Sequence, residues 1–370
     1  MFLSDNASFI FTAILFFVAG FLIVLSVLIA IGFKRKKHEH LKPAVLSRYP
    51  GNPILSPNVR NDWESQGTFN PGAIQDDSGN IHILYRAVGS DGVSRVGHAS
   101  SKDGIHFDEA TPYPVFAMQN PRSNMPSNLR RHDFSLYPSG GSWGGAEDPR
   151  VVRIEDRVYV TFNAFDGWDF IRIGLISMGE KDFFEKRWNW SRPLFISPLK
   201  QVNKNWVLFP EKIGGKFAIL HSVSPDVSID YVDNFEELSS GSRVIKSYFG
   251  HGKPKPGWDS FRRGVGPPPI KTPKGWLVLY HAINKHDPNR YKLGALLLDL
   301  ANPKKVIAQS PEPFLAPDMW YENDWKPGVI YACGAVIKNG TLFVYYGGGD
   351  KYVCVATAPL KKILNKLKAV

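Results

Sequence analysis

Two carboxylates, a proline and a guanidinium follow one another at Glu147-Asp148-Pro149-Arg150, entered through Gly144-Gly145-Ala146 and leaving into Val151-Val152-Arg153-Ile154. Pro149 fixes its own φ and biases Asp148 toward extended backbone, so an acid is held in place beside a cation before any tertiary contact forms. A carboxyl positioned this way can act as a general acid. The same four residues are also compatible with a Gly-rich turn entering a strand, one carboxylate capping it and Arg150 paired in solvent.

Composition narrows the choice. With 370 residues and 43% hydrophobic content the chain can bury a full core, and 33 Gly with 28 Pro point to many turns. Ten Trp and 14 Tyr suit a β-rich fold, and they suit a carbohydrate binder, because sugar rings stack their C–H faces on indoles. The net charge of +11 is scattered outside Lys34-Arg35-Lys36-Lys37 and the tail from Lys361 to Lys368, and no nucleic-acid motif accompanies it. A cationic pocket would instead suit an anionic substrate such as phosphate. Cys333 and Cys354 give no disulfide framework, and the ten His show no ligand spacing, so neither a metal nor a cofactor is expected.

The elements that must position the acid come next. Phe9 to Phe33 carries no charge and is long enough to cross a bilayer as one helix. The basic cluster Lys34–Lys37 follows it, which predicts a single-pass membrane anchor with the globular part on the cytoplasmic side. The expected organisation is an anchor with basic flank over 1–37, a tether over 38–50, a catalytic domain over 51–360 and a basic tail over 361–370. Within the catalytic domain one unit recurs about five times: a turn, then an apolar run ending in an aromatic or polar residue. Examples are Ile81–Arg86, Val158–Phe162, Lys216–His221, Trp276–His281 and Leu342–Tyr346. Repeated antiparallel hairpins predict an all-β, five-bladed β-propeller. Its inner strands would deliver Arg86, Asn163, His221, His281 and Asp350 to one funnel.

Phe69-Asn70-Pro71-Gly72-Ala73, Leu84-Tyr85-Arg86-Ala87, Glu147-Asp148-Pro149-Arg150, Leu208-Phe209-Pro210-Glu211, Gly266-Pro267-Pro268-Pro269, Tyr280-His281 and Tyr345-Tyr346-Gly347 with Asp350 occur in an order that resembles glycoside hydrolase family 130. That family comprises β-mannoside phosphorylases and β-mannosidases on a five-bladed propeller, and the resemblance spans about Asn52 to Leu360. It implies that Asp148 is the catalytic acid, passing its proton to the leaving oxygen through a mannose hydroxyl. It further implies that Asn70, Arg86, Arg150, His281, Tyr291 and Asp350 surround the sugar, and that Lys204 and Arg263, with His221, hold phosphate. Two departures stand out: Ser222 replaces the Arg that tends to follow Leu-His, and the stretch Gln119 to Trp143, with Arg122, Arg130 and Arg131, is long.

An inverting hydrolase needs an acid and a base about 6.5–9.5 Å apart, whereas a phosphorylase needs only the acid, because phosphate is the nucleophile. Phosphorolysis of a β-mannoside to mannose 1-phosphate is the favoured expectation. Hydrolysis, with Glu211, Asp259 or Glu322 as base, is the alternative, and a glycan-binding propeller without turnover is the third reading.

Overall fold

The computed structural model describes residues 44–118, 140–166, 171–247 and 254–370. The expected anchor from Phe9 to Phe33, its basic flank, residues 38–43 of the tether, and Arg122, Arg130 and Arg131 lie outside the described residues. Among the described residues no helix is long and apolar enough to cross a membrane.

The strands form antiparallel groups in chain order. The first holds Gly67–Gln75, Ile81–Val88 and Val93–Ser101, and the second Gly144–Ile154, Arg157–Phe165 and Ile171–Gly179. A parallel contact of Val93 and Ser94 with Gly144 and Gly145 joins these two into one sheet. The third group holds Val207–Leu208, Phe217–Val223 and Val227–Val232; the fourth Phe261–Val265, Gly275–Asn284, Asp287–Leu298 and Val306–Gln309. The fifth holds Ile330–Lys338, Thr341–Gly348 and Tyr352–Pro359. Local chemistry sets the hairpins. At Lys338-Asn339-Gly340 both central residues take positive φ, 51° and 74°, which matches the twist of the flanking strands.

The runs are apolar throughout because each middle strand is buried on both faces. Leu84 packs with Val151 and Val160 of the second group, whereas its neighbours Ile83 and Tyr85 pack with Tyr345 and Val353 of the fifth. Ile219 packs with Ile173 and Leu175 of the second group, and Leu220 with Val278 and Leu296 of the fourth. Leu279 and Leu293 of the fourth meet Val344 and Tyr346 of the fifth. Every group thus shares one core with the group before it and one with the group after it, and the fifth shares a core with the first. Each fully buried Leu, Ile or Val contributes about 1.5–3 kcal/mol.

Two boundaries differ from expectation. The folded unit begins at Ala44 rather than 51, because Ser47 and Arg48 pair with Thr357 and Ala356 and Leu46 is buried. The basic tail is built into the fold: Leu360–Lys366 is a helix, and Lys368–Ala369 pairs with Ala308–Gln309. A buried carboxylate secures the first of these joints. Glu322 accepts from Arg48 Nε at 2.7 Å and Arg48 Nη2 at 3.0 Å, from Tyr346 Oη at 2.9 Å, and from the amides of Asp318 and Met319 at 2.7 and 2.9 Å. Glu322→Ala strands these donors in the interior, and is expected to lower the unfolding free energy in urea titration by about 3–5 kcal/mol.

Candidate active site

In four of the five groups the leading strand breaks its own ladder at one place. The register slips between Phe69 and Gly72, between Glu147 and Arg150, between Arg262 and Gly264, and between Ala332 and Gly334. A bulge turns a side chain out of the sheet, and the residues caught in these four are Asn70-Pro71, Asp148-Pro149, Arg263 and Cys333. Asn70 and Asp148 hold φ of 49° and 51°, in the left-handed region, and Asn205, just ahead of the short strand Val207–Leu208, holds 65°. The extended backbone expected for Asp148 before proline is therefore not found. Asp and Asn tolerate the left-handed region better than other non-glycine residues, and here tertiary hydrogen bonds fix both side chains.

Those bonds converge on Asp148. Its Oδ1 accepts from Asn70 Nδ2 at 2.8 Å and Arg86 Nη1 at 3.2 Å, and its Oδ2 accepts from Asn163 Nδ2 at 3.2 Å. Arg86, buried, also donates through Nη2 to Glu147 at 3.0 Å and through Nε to Ser94 at 2.9 Å. Glu147 accepts in addition from Ser142 at 3.0 Å and Lys204 at 3.4 Å. On the other flank Arg150 donates to the Asp148 carbonyl at 2.8 Å, the Gly266 carbonyl at 3.0 Å and Asn205 Oδ1 at 2.8 Å, and Tyr331 Oη donates to the same Asn205 oxygen at 2.7 Å. The packing leaves no slack: a Cβ on Gly347 would lie 2.0 Å from Asn70 Oδ1.

Electrostatics follow from this geometry. Burial pushes the Asp148 carboxyl up, but the charges of Arg86, Arg150 and Lys204 and the Asn70 hydrogen bond outweigh it and hold the group below the usual carboxylate range. Burial, with Arg150 nearby, pulls His281 down to about 3, so its ring is neutral. His281 Nε2 accepts from the Ala332 amide at 2.8 Å, which puts the proton on Nδ1, and its ring stacks on Tyr331 at 4.1 Å. Among the described residues Asn70 Oδ1 and His281 Nδ1 are buried without a hydrogen-bond partner. They offer one acceptor and one donor to hydroxyl groups. Arg263 donates to Tyr291 Oη at 3.1 Å, and Asn205 reaches the Arg263 carbonyl at 3.4 Å. Asp350, with φ of 51°, pairs with Lys326 at 2.7 Å and raises its pKa. A cavity lined by Gly67, Phe69, Gly140, Gly141, Trp325 and Asp350 opens beside this network.

Of the residues proposed from sequence, Asn70, Arg86, Asp148, Arg150 and Lys204 form one contact network, His281 joins it through Tyr331, and Arg263 with Tyr291 adjoins it through Asn205. Asp350 acts on Arg86 by its charge. His221 is the correction. Its Nδ1 meets Ser247 Oγ at 3.0 Å and its Nε2 meets Asp230 at 3.1 Å, so both nitrogens are spent on its own group's periphery. Ser222 is also occupied, donating to the Ser224 carbonyl at 2.7 Å. The three candidate bases are engaged elsewhere: Glu211 with Lys271 at 2.7 Å, Asp259 with Arg262 and Tyr280 at 2.9 Å, and Glu322 in the clamp on Arg48. Asn205, Tyr331 and Lys326 escaped sequence reasoning. Only Asn205 carried a signal, a polar residue that tolerates left-handed backbone placed just before an apolar run, as Asn70 and Asp148 are.

The family model described as beta-1,4-mannooligosaccharide phosphorylase matches residues 45–369. The chain belongs to glycoside hydrolase family 130. It is 37% identical over 329 residues to a 1,2-beta-oligomannan phosphorylase of Thermoanaerobacter sp. (strain X514), covering 86% of this chain and 98% of that one. A beta-1,2-mannobiose phosphorylase of the same organism is 32% identical over 334 residues, again covering 86% and 98%. The solved beta-1,2-mannobiose phosphorylase of Listeria innocua shares the fold, with a TM-score of 0.64 at 24% identity over 87% of this chain and 98% of that one. The family 130 chain described here is a glycoside phosphorylase with inorganic phosphate as its co-substrate.

The depressed Asp148 pKa has a thermodynamic consequence. Its ionised form adds stability above the ordinary carboxylate pKa of 3.8, and that stability is lost as pH falls through the depressed value. In urea titrations the stability gap between wild type and Asp148→Asn is therefore expected to move in the Asn variant's favour as pH drops from ~5 to ~2. A gap that stays constant would mean the carboxyl is not held below its ordinary range.

Proposed function

We propose that this protein cleaves β-1,2-linked mannosides by inverting phosphorolysis, releasing mannose 1-phosphate, on a five-bladed propeller whose axis carries the Asp148 network. The propeller reading is supported by the strand groups and by cores that each join two consecutive groups and close from the fifth back to the first. The mannoside and its linkage are supported by the two Thermoanaerobacter relatives, whose names give 1,2-beta-oligomannan and beta-1,2-mannobiose. The observation that carries the reaction type is that one carboxyl, Asp148, is presented among cations, while Glu147 is neutralised by Arg86 and Lys204. Hydrolysis would need a second carboxylate as base, and all three sequence candidates are tied up elsewhere.

In the proposed step a phosphate oxygen attacks the anomeric carbon from one face as the glycosidic C–O bond breaks on the other. The leaving oxygen takes the Asp148 proton, directly or through a mannose hydroxyl. Oδ2 is the oxygen suited to carry that proton, since Oδ1 already faces both Asn70 and Arg86. In the free enzyme the surrounding cations hold Asp148 ionised, which is the wrong state for an acid. Phosphate drawn to Lys204, Arg150 and Arg263 would cancel part of that field and raise the carboxyl's proton affinity. Co-substrate binding would thus arm the acid.

We propose further that Phe9 to Phe33 anchors the enzyme in a membrane with the globular unit on the cytoplasmic side, supported by the basic cluster that follows the apolar run. Free phosphate is plentiful there and a charged sugar product is retained.

Assays on β-1,2-mannobiose with and without phosphate test the reaction. Mannose 1-phosphate formed only with phosphate is expected, and free mannose formed regardless of phosphate would overturn phosphorolysis. Asp148→Asn is expected to lower kcat by about 10²–10⁴-fold. Because kcat/KM reports groups in the free enzyme and kcat those in the complex, the apparent pKa of the required acid should be higher in the kcat profile than in that of kcat/KM for phosphate. Coincident values would remove the arming step.

A further inference from the structure

The helix Leu360–Lys366 and the strand after it have two unlike faces. Ile363 and Leu367 are buried, and Leu360 and Leu364 pack beside them on the core shared by the fourth and fifth groups. The opposite face presents Lys361, Lys362, Lys366 and Lys368, all exposed, with no acidic residue between Leu360 and Val370. Elsewhere about half of the described lysines are ion-paired, among them Lys186 with Glu109, Lys212 with Glu155, Lys216 with Asp233, Lys271 with Glu211 and Lys351 with Asp324. Among the described residues these four have no ion-pair partner.

A second observation fixes where this face lies. Ala44, Val45 and Leu46, the first described residues, pack on the same core as Leu360, Ile363 and Leu364. The chain that follows the basic flank of the proposed anchor therefore enters the fold beside the helix. Only residues 38–43 separate Lys37 from Ala44 in the sequence.

We infer that the exposed lysine face of this C-terminal segment is a docking surface for an anionic membrane leaflet. The inference rests on the proposed anchor and adds to it. Four cations with no acidic residue among them suit the cytoplasmic leaflet, which is the anionic one. Orientation follows from the fifth group. Strand Tyr352–Pro359 starts next to Asp350, at the cavity beside the acid, and ends at the helix, roughly 25 Å away at strand rise. Docking by the helix end therefore turns the substrate opening away from the bilayer. The enzyme would draw soluble oligosaccharide from the aqueous phase, and not a glycan held on a lipid.

The test uses the full chain in nanodiscs of phosphatidylcholine alone or with phosphatidylglycerol, with hydrogen exchange read over residues 360–370. Amide exchange there is expected to slow at least fivefold in the anionic discs, the effect of about one lysine at such a surface. The protection should vanish at high salt and in the combined variant Lys361→Gln, Lys362→Gln, Lys366→Gln and Lys368→Gln. These outward-facing side chains make no core contact, so the variant keeps its fold and its turnover of soluble mannoside. A chain that inserts into both discs yet exchanges equally in them would overturn the docking surface and leave the anchor standing. A chain that enters neither disc would sink the anchor and this inference with it. Protection by single-stranded nucleic acid but not by the anionic disc would assign the face to another polyanion and overturn it too.

Discussion

A guanidinium shut away from water between two carboxylates is the interaction on which this molecule turns. Arg86 is 2% exposed and meets Glu147 and Asp148 at once. Burying a charge costs several kcal/mol unless paired charges and hydrogen bonds replace its hydration. Every neighbour of Arg86 is accordingly placed to do so, with Ser94 and Ser142 completing its fork. The same arrangement keeps Asp148 from turning outward, because its Oδ1 is held by Arg86 and Asn70 and its Oδ2 by Asn163. Positioning of the Asp148 carboxyl and neutralisation of the buried charge are one piece of geometry.

The backbone that carries this network departs from regular strand where it must. In the leading strands an unbroken ladder would alternate side chains between the two faces of the sheet. Bulges break that alternation once in the leading strands of four groups, and the residues set free are Asn70, Asp148, Arg263 and Cys333. Cys333 is a thiol in this setting, since burial pushes it up to about 12. Close approach across the site then depends on absent side chains, as at Gly347 against Asn70.

The field of the site is cationic once Glu147 has been neutralised. Arg150 spends its hydrogen bonds on carbonyls and an amide oxygen, none of which cancels its charge. A polar interior with excess positive charge is costly without an anion and favourable with one. In the proposed reaction that asymmetry would link recognition of phosphate to the protonation state of Asp148, a single set of cations serving both the nucleophile and the acid.

Much was legible from residue order. Apolar runs punctuated by turns mark out repeated strand hairpins, and Glu147-Asp148-Pro149-Arg150 stands out because charge, rigidity and spacing are local properties. Arg86, Asn70 and His281 were found through their places at strand ends and in motifs. Tertiary structure alone decided which strand-end residues meet. His221 occupies the same place in its repeat as His281, yet Asp230 and Ser247 capture it, and no local pattern distinguishes the two. Asn205 and Tyr331 meet across 126 positions of chain, Lys326 reaches Asp350 across 24, and the left-handed backbone at Asp148 reverses the local preference set by Pro149. Sequence fixes what each segment can bury and which groups it carries; whether a polar group faces the site or a structural partner depends on which neighbour satisfies it once strands pack, because a buried hydrogen bond is worth more than a local bias.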